Sequence, residues 1–170
     1  MSDSLVLHTA RLTLREITEE DAPVIVALRS DPAVYRFFLK PHKITLEEHL
    51  RWYHNSYRFD ETRRDWIGKD ASGNTVGVFG AKRLSAYEAE ASYLLSPEYY
   101  GQGYAHEAMD AITEFCTERW NTRAMLAVIH DQNANSIRFA VKLGFKKIED
   151  SGGFSVYRKN LDAAKIGDAK

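Results

Sequence analysis

Two glycines, Gly101 and Gly103, stand between an apolar run and an amphipathic one in "LLSPEYYGQGYAHEAMDAITEFC" (Leu94–Cys116). Glycine costs backbone entropy at a corner where almost any residue could turn the chain. A helix start there offers amide N–H groups without partners and a partial positive charge, which together suit an anion. One reading is a phosphate or pyrophosphate brought against bare backbone; the other is a tight strand-to-helix turn with no ligand. An exposed dipole contact contributes only about 0.3–1 kcal/mol, so any ligand must also be gripped elsewhere. The phosphate loop G-x-x-x-x-G-K-S/T is absent, and Gly101-x-Gly103 lacks the third glycine of a dinucleotide fingerprint. His42, His49 and His54 match neither H-E-x-x-H nor a structural zinc spacing, so no metal is expected. Cys116 sits on an apolar stripe and is expected to pack, not to act as a nucleophile.

These residues need elements to position them. "RLTLREI" (Arg11–Ile17) alternates, with Leu12, Leu14 and Glu16 on one side, and reads as a strand. "TEEDAPVIVALRSDP" offers Thr18 as N-cap, Pro23 early in a helix and Asp31-Pro32 as a stop. "KITLEEHLRWYHNSYR" pairs Thr45 with Glu48 as a capping box, and Leu46, Leu50, Tyr53 and Tyr57 share a helical face. Asp65–Lys69, the turn "DASGN" and Thr75–Leu84 read as a hairpin, and Glu88–Leu95 as a further strand. Ala105, Ala108, Met109, Ile112, Phe115 and Cys116 form the stripe of a helix over Gly103–Arg119. Ala124–His130 reads as a buried strand, and "NANSIRFAVKLGF" as a helix ended by Gly144. "FKKIED" and "GGFSVYRKNL" close the domain as strands, so residues 1–161 form one domain and 162–170 a polar tail.

The chain has 170 residues, 44% hydrophobic and 28% charged, which suits one soluble domain with a proper core. A net charge of −1 lacks the basic surplus of a nucleic-acid groove. One cysteine excludes an internal disulfide and fits a reducing compartment. No stretch suits a membrane span or a signal peptide, so a cytoplasmic protein is expected.

Over nearly its whole length the chain resembles the GNAT superfamily of acyl-CoA-dependent N-acetyltransferases. The superfamily's phosphate motif, Q/R-x-x-G-x-G/A, corresponds to Tyr100-Gly101-Gln102-Gly103-Tyr104-Ala105, with Tyr100 in place of Gln or Arg. A second motif, N-x-x-A/S-x-x-L-Y-x-x-x-G-F, matches Asn133, Ser136, Phe139, Gly144 and Phe145, but Ala140 stands at the tyrosine position. The opening "LHTARLTLREITEED" and the stretch "ANSIRFAVKLGF" are similar to the ribosomal-protein N-terminal acetyltransferase branch. "HKITLEEHLRW" is similar to the amino-sugar nucleotide acetyltransferases of pseudaminic acid synthesis.

The resemblance implies a single-domain α/β GNAT fold. Its mixed, mostly antiparallel sheet has six to seven strands split between the fourth and fifth, flanked by about four helices. Acetyl-CoA is the implied co-substrate, with no metal. Backbone groups of Leu94, Leu95 and Ser96 would meet the pantetheine arm, and the amides of Gly101, Gln102, Gly103, Tyr104 and Ala105 its pyrophosphate. Asn133 would hydrogen-bond the pantetheine.

Glu90 aligns with a glutamate many members carry on the fourth strand, where alternation groups it with Glu88 and Ser92. It is the candidate base or water-positioning group, against a plain solvent-facing role. With Ala140 at the usual acid, Ser136, one helical turn earlier, is the candidate donor to the leaving thiolate. Tyr104 and Tyr157 are other hydroxyls, and Ser136 as a small packing residue is the alternative. The first two helices would wall the acceptor site, with Phe37 and Trp52 stacking on a ring and Arg51 or Arg58 meeting a phosphate. The opposing reading places those aromatics in the core.

The expected acceptor is a protein N-terminal amine or an amino-sugar nucleotide. At pH 7 an α-amine is about one-sixth neutral and a lysine roughly one part in 2,500, so a weakly basic amine asks little of a base. Antibiotics and polyamines stay open, although a polyamine site calls for a more acidic pocket. A non-catalytic acyl-CoA binder on the same fold is the alternative class, and a homodimer through the late strands is compatible with the sequence.

Overall fold

The computed structural model describes residues 5–161, so the expected tail at 162–170 lies outside the described residues. Eight strands form one sheet in the order β1-β2-β3-β4-β5-β6-β8-β7. They are β1 (Val6–His8), β2 (Thr13–Glu16), β3 (Arg63–Lys69), β4 (Thr75–Arg83), β5 (Glu88–Leu95), β6 (Ala124–His130), β7 (Lys146–Ser151) and β8 (Phe154–Asn160). The helices are α1 (Ala22–Arg29), α2 (Pro32–Tyr35), α3 (Leu46–Asn55), α4 (Tyr104–Trp120) and α5 (Ala134–Lys142). The strand count exceeds the expected six to seven because the three-residue β1, too short to show alternation, pairs Val6 with Arg15 and His8 with Thr13. That addition moves the expected split from the fourth and fifth strands to β5 and β6.

The split is visible in the register. β5 and β6 are parallel and pair only from Glu88↔Ala124 to Glu90↔Leu126. Beyond Glu90, β5 stays bonded to β4 through Leu95, and β6 to β8 through His130, while the two diverge from each other. Their free lengths run about 13–17 Å at roughly 3.3 Å per residue. The result is a V with its vertex at Glu90.

α4 covers one face of the sheet. All six residues of its apolar stripe are buried and pack on Trp66, Phe79, Ala89 and Met125. The larger of these side chains contribute about 1.5–3 kcal/mol each on burial, which makes this face a rigid platform. α1 and α3 cover the other face, around a smaller cluster of Ile17, Ile25, Tyr57 and Ile67. Thr45 and Glu48 form the expected capping box on α3, at 2.7 and 3.1 Å. The expected α3 face is corrected: Leu46 is exposed, His49 is the buried residue, and Tyr57 lies beyond the helix in a turn. Its hydroxyl meets the Asp65 backbone, accepting from the N–H at 2.9 Å and donating to the carbonyl at 3.3 Å.

Candidate active site

The glycine corner sits where β5 gives way to α4. Gly101 and Gly103 have φ of 72° and 83°, in the left-handed region where a side chain is strained. A Cβ on Gly101 would meet nothing within 4 Å, so the space over it is open. The first in-helix bond of α4 runs from Glu107 N–H to Gly103 C=O at 3.1 Å. The amides from Gly103 to His106 therefore precede the helical ladder.

Side chains around the corner brace it. Gln102 donates to the Glu98 carbonyl at 2.8 Å, and Tyr99 donates to Asp70 at 3.1 Å while packing edge-on against Tyr104. Ala105 is buried beneath, and Tyr100, at the off-pattern position, is half exposed.

The sequence reading missed one cation here. Arg11 reaches across from the start of the chain, its guanidinium 4.0 Å from the Tyr104 ring centroid and 3.3 Å from where a Gly103 Cβ would stand. Glu107 holds it at 2.9 Å and accepts the Arg11 N–H at 2.7 Å. Burial would raise the Glu107 carboxyl, but hydrogen bonds from the Thr9 hydroxyl and from Arg11 outweigh it and hold the carboxyl below its usual range. No local signal marks Arg11, because its partner is 96 residues away.

Along the split, strand alternation decides which backbone groups are offered. Ser96 donates to the Val76 carbonyl at 2.9 Å, so even-numbered residues at this end aim at β4. The Leu94 carbonyl accordingly lies 2.4 Å from where a Gly77 Cβ would stand. This corrects the expectation for Leu94, whose backbone serves β4, and for Ser96, whose N–H serves β4 and whose carbonyl accepts from Tyr99 N–H at 2.9 Å. Leu95, like Tyr93 and Ala91, turns its backbone toward the split. Asn133 caps α5 by accepting from Ser136 N–H at 3.3 Å, leaving its amide group over for a ligand.

The ionisable groups fall on opposite faces of the V. Glu90 is half-buried at the vertex, opposite Lys82 on β4, with no hydrogen bond or ion pair to any described residue. Glu88, two residues earlier on that face, is bound by Arg158 and is thereby accounted for. On the α5 face, the Tyr93 and Ser136 hydroxyls meet at 2.7 Å, and Phe139 packs edge-on against Tyr93 at 4.7 Å. Burial raises the Tyr93 hydroxyl above its ordinary value, partly offset by the Ser136 bond, so it keeps its proton at neutral pH, and either hydroxyl can donate to the other. Tyr93 was not anticipated, since 43 residues separate it from Ser136. Ala140 is buried in the core.

The acceptor residues divide. Phe37 packs on His130 at 5.5 Å under Arg36, and these three with Gln132 line a recess of about 250 Å³ at the open end of β6. Trp52 is half-buried among His49, Tyr57 and Arg63, as wall packing. Arg51 is corrected: it is exposed and held by Glu47, one turn earlier on α3, at 2.8 Å. Arg58 is exposed too and lies over the exposed ring of Phe59.

The three histidines go separate ways: His42 to the Lys40 carbonyl, His54 to Glu19, and His49 into the interior. Cys116 is fully buried, which pushes its thiol up to about 12 and makes it unreactive. No described helix is long and apolar enough to cross a membrane.

Residues 11–146 match the family model described as an acetyltransferase (GNAT) domain. An uncharacterized N-acetyltransferase of Bacillus subtilis, YoaA, is 26% identical over 147 residues, covering 84% of this chain and 83% of its own. Among solved structures, the ribosomal L7/L12 alpha-N-protein acetyltransferase RimL in complex with coenzyme A superposes with a TM-score of 0.80. It shares 16% identity, over 94% of this chain and 99% of that one. The spermidine N-acetyltransferase of Vibrio cholerae with CoA and spermine gives a TM-score of 0.74 at 20% identity, over 86% and 92%. At these identities the superpositions show a common fold.

Proposed function

From the premise that this chain belongs to the acetyltransferase (GNAT) family and is an acyl-CoA-dependent N-acetyltransferase, we propose that it acetylates a primary amine by direct attack in a ternary complex. The observation that carries this reading is the pairing of two features on one split: a bare, left-handed glycine corner at its mouth and an unpaired Glu90 at its vertex.

The residues present fit acetyl-CoA. Open space over Gly101, the free amides from Gly103 onward and the nearby Arg11 suit a pyrophosphate. Leu95 and Asn133 suit the polar groups of the arm. Acetyl-CoA supplies the activated acetyl group. Glu90 takes the proton that the acceptor nitrogen sheds, directly or through one water. Ser136, hydrogen-bonded to Tyr93, passes a proton to the departing sulfur from the other face. With that hydroxyl pair in place, Ala140 need not supply the acid.

The acceptor is a protein N-terminal amine or an amino-sugar nucleotide, both weakly basic, as suits a site with one unassisted carboxylate. The test is acetyl-CoA-dependent thiol release with an N-terminal Ser/Ala peptide, an amino-sugar nucleotide, spermidine and an aminoglycoside. Turnover of either of the first two supports this reading. Acetyl-CoA binding without turnover of any amine would favour the non-catalytic binder, and absence of acetyl-CoA binding would defeat both.

A further inference from the structure

Charges on the α1–α3 face of the sheet do not balance. Arg63 is held by Asp65, with contacts at 3.0 and 3.1 Å, and Arg158 by Glu88. Arg29, the last residue of α1, has no carboxylate: it makes no hydrogen bond or ion pair with any described residue. Its Nε is sealed from solvent without a partner, and the guanidinium lies 5.2 Å from the Phe38 ring centroid. Burial lowers its proton affinity and neighbouring Arg63 lowers it further, with Asp65 too distant to bond and only partly compensating.

His49 adds a second anomaly beside it. The residue is 1% exposed, and both ring nitrogens lack a partner. Burial, then the Arg29 charge, depress its basicity, so the ring is neutral and carries one N–H donor. Buried charged and polar groups are ordinarily satisfied, and here two adjacent ones are not.

This unsatisfied pair connects to the vertex of the V. Asp65, Gly80 and Ser92 stand side by side on β3, β4 and β5. A Cβ on Gly80 would lie 2.2 Å from Asp65 Oδ1 and 2.9 Å from Ser92 Oγ, so this floor exists only because residue 80 has no side chain. Ser92 is two residues from Glu90 on the same face, about 7 Å along the strand. Arg29 and Arg36 make no ion pair with any described residue, and Lys82 faces Glu90 across the β4–β5 register.

We propose that the terminal nitrogens of Arg29, which unlike its Nε are not sealed from solvent, bind an anionic group of the acceptor, so that the substrate is an amine carrying a compact carboxylate or phosphate. The guanidinium fork matches either anion with two parallel hydrogen bonds. A polyamine would bring only cations to a face that already holds unpaired ones. This inference deepens the acetyltransferase reading and rests on it.

The test uses matched acceptors on the full chain. One pair is glucosamine 6-phosphate and glucosamine; the other is an N-terminal Ser-Asp peptide and its Ser-Asn twin. The charged member of one pair is preferred at least about tenfold in kcat/KM, and which pair responds identifies phosphate or carboxylate as the anion. Arg29→Gln collapses that preference through KM, and Arg29→Lys retains part of it. Equal use of the twins in both pairs, or an equal loss on both members in Arg29→Gln, overturns the proposal.

A second readout needs no turnover: tryptophan fluorescence, to which Trp52 beside His49 contributes, is titrated with both charged acceptors in saturating CoA. Binding weakened about tenfold or more in Arg29→Gln supports the assignment, and no binding, or unchanged binding, sinks it. Acetyl-CoA calorimetry tests the parent reading separately. If acetyl-CoA does not bind, that reading falls while the fluorescence titration still decides Arg29. Melting curves establish that each variant is folded, and Arg29→Lys stands in if Arg29→Gln is not.

Discussion

α4 and the α1–α3 segment cover opposite faces of one sheet, and they are built on different terms. α4 runs 17 residues and buries six apolar side chains in a regular stripe. α1, α2 and α3 run 8, 4 and 10 residues, and the one buried residue of α3 is a histidine. Their contacts include guanidinium–ring pairs: Arg29 on Phe38, Arg36 on Phe37 and Arg63 on Trp52. The first face is a packed platform that holds the glycine corner still. The second packs more loosely: its buried Arg29 Nε and both His49 ring nitrogens lack partners, against Trp66 Nε1 alone on the first face among the described residues, and such groups cost stability.

Substitutions can break that contrast or sharpen it. The largest expected effect is at the vertex, where Glu90→Gln lowers kcat about 100-fold and leaves acetyl-CoA affinity intact. Steady-state kinetics with calorimetry checks this, and activity within about threefold of wild type would remove Glu90 from the chemistry. Next comes Gly103→Val, whose left-handed φ of 83° costs about 1–2 kcal/mol with a side chain. It weakens acetyl-CoA binding about tenfold or more; a shift in acceptor KM alone would contradict the division of labour.

Tyr93→Phe and Ser136→Ala each lower kcat about tenfold at most, and the double variant is little worse than either, because the hydroxyls act as one unit. Additive losses in a double-mutant cycle would show two independent roles.

Asp21 tests stability on the acceptor side. Burial would raise its carboxyl, but hydrogen bonds from Arg15 and from Thr18 outweigh that and hold it below its usual value. A lowered carboxyl contributes stability that is full above its unfolded pKa and disappears as pH falls through the folded one. Asp21→Asn therefore costs about 1–3 kcal/mol near pH 7, and the gap in chemical-denaturation midpoints narrows below about pH 4. A gap independent of pH would show that packing, not charge, is what matters. The smallest effect is at Arg51→Ala, within about 0.5 kcal/mol in stability and without kinetic change, since its exposed pair with Glu47 contributes little.

The same contrast explains what was legible in the sequence. The α4 stripe was readable because six apolar residues repeat at helical spacing, and the glycine corner because φ above zero leaves few residues to choose from. Glu90 stood apart from Glu88 in sequence only by resemblance, and the structure adds a physical reason by giving Arg158 to Glu88. The α3 face was misread because the buried position holds a histidine, and the apolar spacing pointed to Leu46 instead. Arg51 looked free in sequence, yet a glutamate one turn back occupies it. Tyr93 with Ser136, and Arg11 with Glu107, are pairings 43 and 96 residues apart that no local pattern encodes.

Hydrogen–deuterium exchange with and without CoA tests the central claim most directly. The account predicts slowed exchange at Ala91, Tyr93 and Leu95 on the open edge of β5 and across Gly101–Ala105, with α3 unchanged. Protection confined to α1–α3, with the split and the glycine corner exchanging as before, would contradict it.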